Sequence, residues 1–337
     1  MIVLGIESSC DECSIALVED GRRIISSIVA TQIDIHRPYM GVVPEIASRT
    51  HTEWIRDTFD RALKEAGLGI ADIDAVAVTN RPGLVGSLLV GLSFAKGLAL
   101  AGDLPLVGVN HVQAHLYAPQ LDREIEYPFL GLLVSGGHTI ICRVDGVDEI
   151  SVMGTTIDDA CGEAFDKVAK YYNLGYPGGV AIDRLSGQGN PKAFTFPGPN
   201  LHKGEHRYDV SYSGLKNAVI NQLDQFWDGV SEKSNENIAA SFQKRAVDIL
   251  VKRLLLAAED TGLTRIVAGG GVAANSYLRS SLSAVDSLEV IFPPLELCTD
   301  NGAMIAGLGY HMLKRNGADP LTLGASARVE GFRKTYP

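Results

Sequence analysis

At 337 residues, 46% of them hydrophobic and 36 of them glycine, the chain exceeds what one compact core usually holds, so a two-lobed α/β protein rich in tight turns is expected. Its 30 basic and 40 acidic residues leave a net charge of −10, opposite in sign to the usual footprint of a nucleic-acid binder. Five cysteines fit a reducing compartment better than a disulfide framework, and the N-terminus MIVLGIESSCDEC reads as a buried strand, not a signal peptide; a cytoplasmic location is the expectation.

In chain order, residues 2–6 form an apolar strand, 7–12 a polar turn, 14–18 a second strand and 24–29 a third after the Asp20-Gly21 turn, which together make a meander. Asp11 and Glu12 lie in the first turn, where acids could face a metal or a nucleophile, or simply solvate the turn. Cys10 and Cys13 form C-x-x-C, but they precede a strand and do not open a helix as in a thioredoxin-like unit. The apolar stretch 84–101 is interrupted by Gly86, Ser87, Gly91, Ser93 and Lys96, against a membrane span. Next comes VNHVQAHLYAP, in which His111 and His115 share one helix face and could grip one ion. A zinc protease of the H-E-x-x-H type needs a Glu after the first His, and here that residue is Val112.

Residues 129–153 repeat the meander, with strands at 129–134, 139–144 and 149–153. A strand, Gly-containing turn, helix and strand follow each copy, and aligning Thr79 with Ala268 sets an offset of 189 that places Asp300 opposite His111. Two facing lobes would then bring His111, His115 and Asp300 to one ion. Two imidazoles and one carboxylate leave coordination positions open, and the set suits Fe(II) or Zn(II). The expected lobes are 1–115 with 310–337, and 116–309 with an insertion at about 154–237; within the latter, Asp228 to Asn237 is the expected mobile loop.

The turns VSGGH (Val134, Ser135, Gly136, Gly137, His138) and AGGGVAAN favour phosphate or carboxylate through exposed backbone N–H groups, although neither is a P-loop. In DDACGEAFDKVAK, Asp159, Glu163 and Asp166 are expected on one helix face, either as a solvated acidic stripe or with Asp166 accepting from ribose hydroxyls; Asp183 could do likewise.

The ordered motifs GIESSCDE, MGVVPEIASRTH (Met40-Gly41 where Gly-Gly is usual), RPGLVGSLLVG, NHVQAHLYA, LLVSGGHT, DDACGEAFDKVAK, YPGG, SYSGLKNA, GGGVAAN and CTDNGAMIA together resemble the TsaD family of tRNA threonylcarbamoyladenosine synthases over nearly the whole chain. The resemblance implies an actin-like (ASKHA) α/β fold with two lobes of duplicated ribonuclease-H-like units around a cleft. It implies transfer of a threonylcarbamoyl group from threonylcarbamoyl-AMP to the exocyclic amine of the adenosine just 3′ of the anticodon, in tRNAs reading codons that begin with adenine. By motif, His111, His115 and Asp300 match metal ligands. Val134 to His138, Asp166, Gly179, Asp183 and Asn275 match adenylate-binding positions, and Asp11 with Glu12 an acidic turn facing the reacting centre. A TsaB-like paralogue and a TsaE-like ATPase are the implied partners, with tRNA and without a membrane. The alternatives are an actin-like ATPase or sugar-kinase-like phosphotransferase, and a metalloendopeptidase. The family usually has Thr at Cys13, which makes the C-x-x-C incidental.

Overall fold

The first meander runs through β1 (Ile2–Glu7), β2 (Glu12–Glu19) and β3 (Arg23–Thr31) in a computed structural model that describes residues 1–201 and 204–328. The chain continues through α1 (Ile33–His36), α2 (Pro44–Ala66), β4 (Ala75–Arg81), α3 (Val85–Gly102), β5 (Leu106–Asn110) and α4 (His111–Tyr117). The sheet order is β3-β2-β1-β4-β5, with β1–β2 and β2–β3 antiparallel and β1–β4 and β4–β5 parallel.

Alternation along the strands sorts side chains onto two faces. Leu4, Ile6, Ile15, Leu17, Val76 and Val78 pack with Ile55 and Phe59 of α2 and Leu92, Ala95 and Ala99 of α3. Both faces are covered, so the central strands read as continuous apolar runs. Pro44 at the first turn and Gly67 in the left-handed region (φ 66) bound α2. The length and composition of α3 would allow it to cross a membrane. In this fold, however, its Leu88, Leu92, Ala95 and Ala99 stripe is buried against β4 and α2, and Phe94 meets Phe59 edge-on at 5.5 Å.

The second set comprises β6 (Phe129–Val134), β7 (Thr139–Gly146), β8 (Glu149–Thr155), α5 (Cys161–Tyr171), α6 (Gly178–Ser186), α7 (Ser213–Asn221), α8 (Asn235–Thr261), β9 (Arg265–Gly269), α9 (Ser276–Ser283) and β10 (Glu289–Ile291). Its order, β10-β9-β6-β7-β8, is that of the first sheet, with β6 in the place of β1. The duplication read from the meanders is therefore a duplication of topology. Residues 228–237 are not a bare loop: Asp228 accepts from Val230 and Ser231, and Ser234 caps α8 by accepting from Asn237 N–H.

The final helix, α10 (Gly302–Asn316), returns to the first sheet. Two compact units result. One contains Met1–Glu126, Gly146–Glu149 and, from Pro293, the described remainder of the chain; the other contains Tyr127–Asp145 and Ile150–Phe292. These bounds differ from the expected breaks after residues 115 and 309. The reason is packing: Tyr117, Ala118 and Leu121 share one core with Val3, Ala77, Val109, Met304, Ile305 and Leu308. Arg315 also pairs with Asp148 and Glu149.

The approach of α10 to β1 needs glycine on both sides. A Cβ on Gly5 would lie 2.1 Å from Gly302 O and 2.6 Å from Ala306 N, and one on Gly302 would lie 2.7 Å from Ala16 N. All three obstacles are backbone atoms, which cannot swing aside. Gly5→Ala is accordingly expected to destabilise by about 1–3 kcal/mol, as overpacking does. Thermal unfolding would show it, and an unchanged melting temperature would contradict the contact.

Candidate metal centre and phosphate-binding turns

Parallel register decides what gathers at the carboxyl ends of β1, β4 and β5. Ile6 pairs with Val78 and Thr79 with Val109, so Glu7, Thr79 and the Asn110-His111 step end up as neighbours. Ligands of open α/β sheets bind at this edge. Asn110 caps α4 by accepting from Val112 N–H, which starts the helix with His111 in its first turn. One turn on, His115 stacks edge-on to His111, with ring centroids 4.6 Å apart.

Asp300 arrives from the segment before α10. Asn301 caps that helix by accepting from Met304 N–H, and Gly302 N–H donates to Ser14 Oγ on β2. The carboxylate accepts from His115 Nε2 at 3.0 Å and lies 3.6 Å from His111 Nε2. Asp300 thus belongs to the same unit as both histidines, and the expectation that a facing lobe supplies it is corrected. The offset found the residue; the return of α10 to the first sheet changed its lobe.

One donor atom each from His111, His115 and Asp300 lies within 4.8 Å of the others, and both histidines are buried. Two imidazole nitrogens and a carboxylate oxygen so disposed fit a divalent ion with positions left open. Burial would push His111 down, but the charges of Asp300 and Glu7, with the hydrogen bond to Glu7, hold it up at about 9. Burial works against the charge on Glu7 too, yet His111 and Thr79 keep its carboxyl below the usual range.

Asp11 and Glu12 lie in the same unit. Burial, then the charges of Asp11 and Asp300, push the Glu12 carboxyl well up, and Thr31 Oγ1 donates to it at 3.3 Å. His51 Nε2 donates to Cys10 O at 2.9 Å and holds this turn from α2. Cys13, on β2, is buried in the core with its thiol pushed up to about 11 by burial, which lowers the reactivity a C-x-x-C pair would need. Val112, where a protease of the H-E-x-x-H type carries its base, is fully buried.

In the other unit the turn after β6 is closed on itself. Ser135 N–H donates to His138 O, and His138 N–H donates to Ser135 Oγ. An added Cβ on Gly136 or Gly137 would meet nothing within 4 Å, so the space beside both residues is open. Behind the turn, Gly162 N–H donates to Ser135 O, and Gly270 (φ 90) presses so closely that its Cβ would lie 2.4 Å from Val134 O.

The acids expected on one helix face take different partners, although Asp159 and Glu163 share Lys167. Asp159 precedes α5 and binds Lys167, Lys216 and Ser213; Glu163 accepts from Ala160 N–H; Asp166 accepts from Gly178 N–H at 2.8 Å, beside Gly179. Asp183 accepts from Ser276 N–H and Oγ and from Asn275, whose amide also donates to Gln243. Asp166, Gly179, Asp183 and Asn275 therefore frame the starts of α6 and α9.

Glu7, Ser9 and Thr79 were missed from the sequence. Glu7 stood in the quoted GIESSCDE, but only the strand register shows that it meets a histidine 104 residues away.

Solved structures with the same architecture define the class. The chain superposes on HypF in its phosphate- and nucleotide-bound form with a TM-score of 0.64, at 14% identity over 94% of this chain and 47% of that one. It superposes on component A of the (R)-2-hydroxyglutaryl-CoA dehydratase of Acidaminococcus fermentans with a TM-score of 0.55, at 14% identity over 93% and 99%. At such identity the likeness is one of fold, and the fold is the actin-like α/β class. The family model of TsaD, tRNA N6-adenosine threonylcarbamoyltransferase, matches residues 23–307. A relative of that name from Treponema denticola is 65% identical over 99% of both chains, and one from Borrelia hermsii is 51% identical over 99% of this chain and 98% of its own. The chain belongs to the TsaD family.

The Asp159 clasp yields a test of stability. Burial alone would raise its carboxyl, but hydrogen bonds from Lys167, Lys216 and Ser213 hold it at about 2, below the ordinary 3.8. A depressed carboxylate stabilises above its unfolded value and loses that contribution as pH falls toward the folded one. Asp159→Asn should lower the urea midpoint at pH 7, with the difference from wild type shrinking between about pH 4 and pH 2. A difference that ignores pH would contradict the clasp.

Proposed function

We propose that this chain transfers the threonylcarbamoyl group of threonylcarbamoyl-AMP to the exocyclic N6 amine of the adenosine just 3′ of the anticodon, in tRNAs reading codons that begin with adenine. AMP is released. The observation that carries the reading is the donor set of His111, His115 and Asp300 in a chain that belongs to the TsaD family.

These three residues would hold one divalent ion, Fe(II) in preference to Zn(II). When bound, it supplies a Lewis acid that offsets negative charge on the donor and polarises the carbonyl under attack. The chain's own groups do the rest. The amides of Gly136 and Gly137 point phosphate toward the turn after β6, and Asp166, Gly179, Asp183 and Asn275 bind the adenylate at the starts of α6 and α9.

In the transfer, the N6 lone pair forms a bond to the carbamoyl carbon, the carbon–oxygen bond to phosphate breaks, and AMP leaves with that electron pair. A proton leaves N6. Asp11 and Glu12 are the acceptors we assign. The mixed anhydride is already activated, so no Ser-His-Asp arrangement is required.

The net charge of −10 supports a division of labour in which partners supply basic contacts to tRNA. We assign a TsaB-like paralogue and a TsaE-like ATPase to that role, in the cytoplasm; five unpaired cysteines agree with a reducing compartment.

The test is mass analysis of nucleosides after incubating tRNA, threonylcarbamoyl-AMP and the partner proteins with this chain. Wild type should yield the modified adenosine, and His115→Ala should lower the yield by about 100-fold or more, since losing a ligand costs more than losing its supporting shell. Full yield from that variant, or none from wild type, would overturn the assignment. Phosphate release from ATP that persists without His111, His115 and Asp300 would favour the phosphotransferase alternative.

A further inference from the structure

Glu7 is a fully buried carboxylate at the end of β1. Its three partners are Ser9 N–H on Oε1 at 2.6 Å, Thr79 Oγ1 on Oε2 at 2.6 Å and His111 Nδ1 on Oε2 at 3.0 Å. None is a Lys or an Arg. Holding an ionised carboxylate out of water costs several kcal/mol unless the surroundings compensate it. The chain tolerates the group exactly where it meets one ring nitrogen of His111, the other facing Asp300.

We propose that Glu7 is a positioning residue for the metal centre, acting through His111. As a carboxylate it accepts the Nδ1 proton, and this fixes the tautomer that leaves the Nε2 lone pair toward His115 and Asp300. Metal-bound histidines commonly carry such a partner, which sets ring orientation and raises ligand basicity. Thr79 Oγ1, from the adjacent strand, holds the carboxylate in place. The two histidines are therefore unlike: His115 Nδ1 is buried and has no hydrogen-bond partner among the described residues. His111 is the oriented ligand, and His115 takes its direction from Asp300.

An ionised carboxylate satisfies this pocket, because Ser9 N–H and Thr79 Oγ1 donate to it and His111 Nδ1, which also lies 3.2 Å from Ser9 Oγ, is closer to Glu7 Oε2 at 3.0 Å. In Glu7→Gln, one donor would face the new amide NH2, and the ring would lose its fixed tautomer. The inference rests on the metal reading above, and the experiment separates the two. Purified full-length protein is titrated with Co(II) against a competing chelator, while the visible Co(II) absorption reports ligand geometry and circular dichroism reports folding.

Wild type should bind one equivalent, and His115→Ala should lose binding. Glu7→Gln should bind about 10- to 100-fold more weakly with an altered Co(II) spectrum. Thr79→Val, which keeps the carboxylate but removes its clamp, should weaken binding several-fold and is the deciding variant if Glu7→Gln does not fold. Wild-type affinity and spectrum in both Glu7→Gln and Thr79→Val, with binding still lost in His115→Ala, would overturn the role of Glu7 alone. A wild type that binds no Co(II), or a His115→Ala that binds it unchanged, would overturn the metal reading and this inference together.

Discussion

The parallel pairing of β1, β4 and β5 is the constraint on which the candidate metal centre depends. It levels the ends of three strands, so Glu7, Thr79 and the start of α4 must be neighbours. A slip of one residue would turn Glu7 to the opposite face, because side chains alternate along a strand. The slip is opposed by the core itself, since it would also carry Leu4 and Ile6 away from α2 and α3.

A second constraint, close packing through Gly5 and Gly302, brings Asp300 to the same edge. The helix behind it then contributes Met304, Ile305 and Leu308 to the core shared with β5 and α4. Packing and chemistry are coupled here: the glycines that let α10 lie on β1 also set where its preceding carboxylate falls. The resulting cluster carries four carboxylates, Glu7, Asp11, Glu12 and Asp300, against two imidazoles. Burial raises Glu12, whereas the partner histidine keeps Glu7 down. Like groups differ because their immediate partners differ.

The second unit repeats the topology and not the chemistry. Its β6 occupies the place of β1 and ends in a Gly-rich turn, whose Ser135 and His138 amides are used internally. The acids that follow serve as structural clasps. Asp159 joins α5 to α7 through Lys167 and Lys216, and Asp183 joins α6 to α9 through Ser276.

Much was legible in the sequence by itself. Apolar alternation between turn residues marks both meanders, because the strand backbone imposes a two-residue period in facing. The His111 and His115 pairing followed from helix geometry, the internal repeat located Asp300, and Gly-rich composition marked the turns after β6 and β9. What tertiary structure decided was every relation between residues distant in the chain. It placed Asp300 with the histidines in one unit, because α10 closes the first sheet. It separated Asp159 from Asp166, because the helix starts at Cys161. It also joined Glu7 to His111 across 104 residues, because strand order and register, not sequence spacing, determine which side chains meet at a sheet edge.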